Sequence, residues 1–157
     1  SDIVRFLVMN THTIDRVLRK FQVRNFLGVL AHDKIPRNKL GIFVVNLDAS
    51  DQPGSHWVCV FTDSKKGEFF DSFGRPPPYQ SIRNYMDRNC TDGWTYSNKQ
   101  LQSAISRSCG HYCVLYCILR SKNYNRHRFL ALFSTDTCLN DRVVVRLLKR
   151  LKKLRKR

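Results

Sequence analysis

The sequence predicts an α+β domain, and three observations lead to that prediction. Residues 56–73 alternate apolar and other side chains on both sides of the turn-forming stretch 63–67, which is typical of a β-hairpin. Residues 109–119 are apolar with the spacing of a buried helix, and residues 141–157 combine an apolar stripe with a basic face. With 157 residues, of which 42% are hydrophobic, the chain is expected to fold as a single domain over residues 1–157.

Ahead of the hairpin we expect one helix and one buried strand. Apolar residues recur at helical spacing over residues 11–24, and Thr11 or Thr13 is a candidate N-cap. Residues 26–30 are then expected to enter a loop. Residues 41–47 are apolar and β-branched, which indicates a buried strand.

After the hairpin the elements are shorter. The proline-rich stretch 74–78 ends the sheet, residues 81–88 fit a short helix and residues 93–97 fit a strand. Residues 128–133 are a further helical candidate. Asp141 is expected to begin the last helix, whose basic amphipathic character continues to the end of the sequence.

The charge of the chain favours a polyanionic partner. The formal net charge is +16, and nine Lys and Arg residues lie between Arg142 and Arg157 with no acid among them. Without that segment 19 bases remain against 12 acids, so the rest of the chain is basic too. We therefore expect sequence-independent, salt-sensitive binding of DNA, although a solvated basic tail is the simpler alternative. The predicted DNA-binding residues are Arg142, Arg146, Lys149, Arg150, Lys152 and Lys153.

The cysteines and the apolar runs exclude other classes of protein. No apolar run approaches the roughly 20 residues of a transmembrane helix, so no membrane partner is expected. Cys59, Cys113 and Cys117 occupy apolar positions, which indicates buried free thiols in a reducing compartment. No pair of CxxC motifs is present, so no metal site is expected.

Three residues in the chain order His56, Asp71, Cys109 predict cysteine catalysis. A thiol nucleophile needs a base to deprotonate it, and that base needs an acceptor that holds its tautomer and orientation. The hairpin places His56 and Asp71 at neighbouring strand ends, and an unpaired carboxylate among aromatic residues would be costly. His56 is therefore the natural partner of Asp71.

Cys109 stands at the predicted start of a helix, where the dipole and free backbone N–H groups favour a thiolate. Ser106 or Ser108 can cap that helix, and Gly110 removes side-chain bulk next to the sulfur. The backbone N–H of Cys109 and the side chain of Gln102 are candidate donors to an oxyanion.

Each member of this group also has a structural interpretation. Cys109 could simply begin a core helix, and His56 could be a hydrogen-bonded strand histidine. Of the other histidines, two lie in polar, basic surroundings and one lies too close to Cys109 on its own helix. His32, in a loop, is the best alternative base.

Several motifs between residues 26 and 117 occur in a fixed order. They are Phe26-Leu27-Gly28 with Asp33-Lys34 and Pro36, Lys39-Leu40 to Val45-Asn46, Gly54-Ser55-His56-Trp57, Phe70-Asp71-Ser72-Phe73-Gly74, Gln102, and Cys109-Gly110 with Cys113. In this order they resemble the adenain family, the maturation cysteine proteases of adenovirus type, with relatives in other viruses and in virus-like transposons.

The resemblance implies a papain-like fold with permuted order, in which a mostly antiparallel sheet packs on the helix that carries Cys109. It also implies a thiolate–imidazolium pair, Gln102 in the oxyanion hole, and Trp57 shaping or shielding the site. Members of the family cleave virion precursor proteins, often at glycine-containing sites, and use DNA as a cofactor. The chain is thus expected to be a monomeric viral endopeptidase in the virion and the host cell nucleus.

Some members of that family bind an activating peptide through a disulfide, and Cys90 lies close to the cysteine they use. The chain departs from the family in having Asp71 in place of glutamate and a shorter interval before Cys109. Aspartate is usual in the SUMO- and ubiquitin-like-specific proteases. Two alternatives therefore stand beside the maturation protease: a protease of the same fold that acts on such modifiers, and a non-catalytic basic DNA-binding virion protein.

Overall fold

A five-stranded sheet with helices on both faces forms the part of the chain that the computed structural model describes, residues 9–48 and 56–155. The elements are α1 (Thr11–Lys20), β1 (Phe26–Ala31), a 3-10 turn (His32–Lys34), β2 (Ile42–Asn46), β3 (Trp57–Asp63), β4 (Lys66–Phe70), α2 (Gln80–Asn89), β5 (Trp94–Tyr96), α3 (Cys109–Ser121), α4 (Arg126–Leu130) and α5 (Thr137–Arg155). The motif residues Gly54 and Ser55 and the last two residues of the predicted basic helix lie outside this part.

The strands are ordered β1-β2-β3-β4-β5 across the sheet. The three middle strands pair antiparallel, as predicted, whereas β1 pairs parallel with β2 and β5 parallel with β4. The sheet is therefore mixed. Residues 26–30, expected to lead into a loop, instead belong to the edge strand β1. The pairing register of β1 shifts between Phe26 and Val29, and Gly28 has a φ of +113°. This irregularity breaks the alternation by which a strand is recognised in a sequence.

Alternation along the strands divides the apolar side chains between two cores. Trp57 and Cys59 face the core formed with α1, α3 and α5, whereas Val58 and Val60 face the core formed with α2. Helix α3 is enclosed by the first core, and all residues from 109 to 119 are buried. The predicted packing of the sheet on the cysteine-bearing helix is confirmed. Within the described residues, no helix is both long and apolar enough to cross a bilayer.

Helix α1 is shorter than predicted and has a different cap. The Asn10 side chain accepts a hydrogen bond from the backbone N–H of Thr13 at 2.8 Å, so Asn10 is the N-cap. The helix ends at Lys20 rather than at residue 24. Gln22 and Asn25 both have positive φ angles, which are incompatible with a continuing right-handed helix.

Helix α5 begins at Thr137, four residues before the predicted start at Asp141. The carboxylate of Asp136 accepts a hydrogen bond from the backbone N–H of Leu139 at 3.0 Å and so caps the helix. Asp141 instead accepts a hydrogen bond from the Tyr112 hydroxyl at 2.8 Å, which ties α5 to α3.

Cys90 lies in the second core, directly after α2, and is 3% exposed. Its sulfur packs so closely on Gly67 of β4 that a methyl group at Gly67 would overlap it. A disulfide between Cys90 and an activating peptide would require this contact to open. The structure therefore argues against Cys90 as the activator cysteine.

Gly67→Ala is expected to lower the free energy of unfolding by about 1–3 kcal/mol, because the added methyl group overpacks the core at Cys90 and Met86. Urea unfolding with an unchanged m-value measures the loss. The same substitution should cost less in a Cys90→Ala background, in which the overlapping sulfur is gone. Equal costs in the two backgrounds would show that Cys90 does not pack on Gly67.

Candidate active site

The β3–β4 hairpin brings His56 and Asp71 together. His56 directly precedes β3 and Asp71 directly follows β4, and the antiparallel register pairs Cys59 with Phe70 near these strand ends. The distance from His56 Nε2 to Asp71 Oδ1 is 3.0 Å. The predicted pairing of imidazole and carboxylate is thus present in the structure.

The carboxylate of Asp71 is fixed on both oxygens. Its side chain is 2% exposed, Oδ1 also accepts from the backbone N–H of Phe73 at 2.8 Å, and Oδ2 accepts from Arg75 Nε at 3.2 Å. Burial by itself raises the pKa of Asp71. The hydrogen bond and charge of His56, followed by Phe73 and Arg75, outweigh it and lower the pKa below its ordinary value.

His56 lies between this carboxylate and the thiol of Cys109. Burial by itself lowers the pKa of His56, but hydrogen bonds to Asp71 and to Cys109 raise it to about 9. Because Nε2 is bonded to the carboxylate, Nδ1 is the nitrogen left for the sulfur. The ring of Phe73 stacks on the imidazole, with 5.1 Å between centroids and 27° between planes. The arrangement favours an imidazolium that is held in one orientation.

Cys109 is the first residue of α3 and is 3% exposed. Ser108 occupies the N-cap position but makes no side-chain capping bond, so the predicted serine cap is not formed there. The first-turn N–H groups of α3 therefore have no side-chain cap from Ser108, and Cys109 stands at this end of the helix.

The side chain of Gln102 is buried and has one defined orientation. Its Oε1 accepts a hydrogen bond from the Ser72 hydroxyl at 2.6 Å, so its Nε2 is the end that points the other way. One N–H of that amide donates to the Ser106 carbonyl at 2.9 Å. The second N–H has no partner in the described part of the chain, and it is the one that could meet an oxyanion.

The turn after β4 supports both the base and the amide. Asp71 contacts His56, while the next residue, Ser72, accepts from the backbone N–H of Gln102 at 3.1 Å and donates to its side chain. Gly74 closes the turn with a φ of +75° and lies so close to the Lys99 backbone that a Cβ would collide with it. Neither the close approach nor the backbone angle would tolerate a larger residue.

Two residues predicted to shape the site have different surroundings. Trp57 is 7% exposed at the start of β3, and its Nε1 has no acceptor among the described residues. A Cβ on Gly110 would lie 3.0 Å from Cβ of Met9 and 3.3 Å from Cδ1 of Ile14. Gly110 therefore allows α1 to approach α3.

The other histidines have surroundings different from those of His56. His32 stacks on Tyr79, with 3.8 Å between centroids, and its Nδ1 lies 3.3 Å from Ser81 Oγ, so it is not the base. His12 and His127 are exposed. His111 is buried in α3, and that burial lowers its pKa to about 4.

Cys59, Cys113 and Cys117 are buried in the first core, as the apolar pattern predicts. Sγ of Cys59 lies 3.8 Å from Sγ of Cys117 and 3.6 Å from the Cys113 carbonyl oxygen, and all are free thiols. Burial raises the pKa of Cys59 and of Cys113, which makes their thiolates unfavourable. Among the described residues no cluster of three His, Cys, Asp or Glu has the geometry of a metal site.

Sequence reasoning missed Ser72, Phe73 and Arg75 as parts of the site. Each lies within four residues of Asp71, and Arg75 also covers the Phe73 ring at 4.8 Å. Ser72 and Phe73 stand in the motif around Asp71, and Arg75 stands in the proline-rich stretch after it, but the sequence assigned none of them a contact. Their contacts depend on how the turn after β4 folds.

The His56 imidazolium is expected to persist to about pH 9, and NMR titration of the ring would show it. Because the pKa in the folded state exceeds its ordinary value of 6.5, this charge contributes stability below pH 6.5 that is lost as the pH rises towards 9. Asp71→Asn should lower the midpoint of the His56 titration. The substitution removes the negative charge that raises the pKa of His56, while the burial that lowers this pKa remains. His111 titrates at the acidic end of the same spectra and serves as a reference. A wild-type midpoint near 6.5 would contradict the assigned ion pair.

The chain is similar in sequence to a viral cysteine protease. It is 31% identical over 116 residues to the cysteine protease S273R of African swine fever virus, an alignment that covers 66% of this chain and 41% of that protein. The protein of a second isolate, named SUMO-1 cysteine protease S273R, is 30% identical over the same length. The chain thus spans about two fifths of the length of these relatives. No family model matches the chain.

Solved structures show the fold. The crystal structure of the African swine fever virus pS273R protease aligns with a TM-score of 0.63 at 17% identity, covering 92% of this chain and 68% of that chain. The Ulp1 protease domain, solved in complex with Smt3, the yeast ortholog of SUMO, aligns with a TM-score of 0.51 at 12% identity, covering 92% and 77%. The chain therefore has the papain-related fold of the pS273R and Ulp1 cysteine proteases, as the sequence predicts.

Proposed function

We propose that this chain is a cysteine endopeptidase in which Cys109 is the nucleophile, His56 the base and acid, and Asp71 the residue that orients His56. The observation that carries the proposal is the contact series from carboxylate to imidazole to a thiol at a helix N-terminus. Sequence similarity to named cysteine proteases supports it. The alternative of a non-catalytic DNA-binding protein gives no reason for this series.

The mechanism follows from the positions of the groups. His56 takes the thiol proton, and the thiolate of Cys109 attacks the peptide carbonyl. The oxyanion is met by the backbone N–H of Cys109 and the unpaired N–H of Gln102. The imidazolium then protonates the leaving amine, and water, deprotonated by His56, releases the acyl group and regenerates the thiol.

The proposed substrate is the C-terminal tail of a SUMO-type modifier that ends in Gly-Gly. One relative carries SUMO-1 in its name, and the Ulp1 domain with the same fold was solved with the yeast ortholog of SUMO. Asp71, in place of the glutamate of adenain, is also the acid usual in modifier-specific proteases.

Cleavage of viral precursor proteins, as in the adenain family, is the second candidate. The viral origin of the relatives and the net charge of +16 favour it. In that case we propose that the protease acts as a monomer in the virion and the host cell nucleus.

Cys109→Ala is expected to abolish cleavage of a Gly-Gly modifier fusion while leaving the fold intact, because the nucleophile is lost. Cys138→Ala is the matched control, since Cys138 is the exposed cysteine of the described chain and lies on α5. Cleavage is followed by gel, alongside a precursor-type peptide with an internal Gly-Gly site. Retained cleavage by Cys109→Ala would overturn the protease assignment. Cleavage of the peptide alone would favour the maturation protease.

DNA binding is proposed for the basic face of α5. Val144 and Leu148 are buried against α3, and the opposite face exposes Arg142, Arg146 and Arg150. Further along, Lys153 is exposed and Lys149 and Lys152 are half-buried. A stripe of this kind contacts phosphates without reading sequence.

Replacing Arg142, Arg146 and Arg150 together by Gln is expected to weaken binding to a DNA duplex and to reduce the salt slope of log K by up to about 3, because three phosphate contacts are lost. Fluorescence anisotropy over a range of salt concentrations measures both. The control replaces three exposed bases elsewhere, Lys39, Lys65 and Lys66. If the α5 variant kept the wild-type affinity and slope, the DNA footprint would lie on another surface.

A further inference from the structure

Two consecutive residues of α5 hold the chain on either side of Gln102. The side-chain amide of Asn140 donates to the carbonyl oxygen of Leu101 at 3.1 Å. Oδ1 of Asp141 lies 3.4 Å from the backbone N of Ser103, which donates to it. The peptide before Gln102 and the peptide after it are therefore both fastened to the same helix.

These two side chains are themselves held in place. Asn140 is 1% exposed; its Nδ2 also donates to the Ser134 carbonyl at 2.8 Å, and its Oδ1 accepts from the Ser134 N–H at 2.9 Å. Asp141 accepts from the Tyr112 hydroxyl at 2.8 Å. Burial and the neighbouring Asp141 raise the pKa of Tyr112, so the phenol stays protonated and continues to donate. Tyr112 lies one helical turn after Cys109.

The contacts of Tyr112 connect the nucleophile to the amide. Its hydroxyl lies 3.3 Å from the carbonyl oxygen of Leu101 as well as 2.8 Å from Asp141. Helix α3, which begins at Cys109, and the loop that contains Gln102 are thus fixed to each other through α5. An oxyanion donor is effective only when it stands at hydrogen-bond distance from the developing oxyanion and is held within about half an ångström of that position.

We propose that Asn140 and Asp141 are positioning residues that set the side chain of Gln102 relative to Cys109, an inference that rests on the proposed protease function. They act through the backbone of Leu101 and Ser103, and neither contacts the substrate. Helix α5, which has the basic face, therefore also provides the two residues that position the oxyanion donor Gln102.

Two reactions of the same thiol separate this role from a structural one. Cleavage of the Gly-Gly fusion develops an oxyanion, whereas alkylation of Cys109 by chloroacetamide does not. Asn140→Ala and Tyr112→Phe should lower kcat for cleavage about 10- to 100-fold while the alkylation rate stays within about twofold. Asp141→Ala should behave like them, and Asp141→Asn should restore cleavage, because an amide oxygen accepts the same two hydrogen bonds.

A Gln102→Ala background provides the decisive comparison. Once the donor is absent, Asn140→Ala should cost little more in kcat, because nothing is left to position. An equal loss in both backgrounds, or a parallel fall in alkylation, would overturn the proposal. Asn125→Ala, which removes the cap of α4, is the control for general loosening and should leave the ratio of the two rates unchanged.

The outcome also separates the two levels of the proposal. If the wild type cleaves, Cys109→Ala does not, and Asn140→Ala and Tyr112→Phe cleave like the wild type, the positioning role is wrong and the protease function stands. If the wild type cleaves neither the fusion nor the precursor-type peptide, the protease function and the positioning role are both wrong.

Discussion

The rest of the site depends on one buried carboxylate, that of Asp71. A carboxylate with a 2% exposed side chain is costly unless it is hydrogen-bonded and paired. Its donors come from three places: His56 before β3, the backbone of Phe73 in the turn, and Arg75 beyond it. The charge is satisfied only when the hairpin is in register and the turn is closed. The base is therefore oriented by the same contacts that complete the fold at this end of the sheet.

The first core shows how surroundings distinguish identical thiols. Burial raises the pKa of Cys59 and of Cys113, which keeps both protonated and lets them serve as small apolar side chains. Cys109 belongs to the same core and is 3% exposed, but it lies at a helix N-terminus, and its thiol is among the groups that raise the pKa of His56. Burial alone gives an inert thiol. The helix end and the imidazolium are what could make one thiol of this core a nucleophile.

Patterns that are local in the sequence allowed the hairpin, the buried helix and the order of the three site residues to be predicted. What escaped prediction depends on distant partners. The start of α5 was misplaced because Asp141 bonds to Tyr112, 29 residues away. The burial of Cys90 depends on its contact with Gly67 across the second core. Strand β1 was missed because of the irregularity at Gly28.

The aspartate at position 71 follows from the turn in which it stands. Its Oδ1 accepts from the backbone N–H two residues ahead at 2.8 Å, while its carbonyl accepts from the N–H of Gly74, also at 2.8 Å. The first of these hydrogen bonds closes a ring of atoms between the side chain of Asp71 and the backbone of Phe73, and only a short side chain can close it. Glutamate is longer by one methylene and would place its carboxylate beyond the Phe73 N–H. The same ring positions Phe73 so that it stacks on His56. Replacing glutamate by aspartate is therefore more than a change of length, because the shorter acid lets one carboxylate orient the imidazole and shape the turn that covers it.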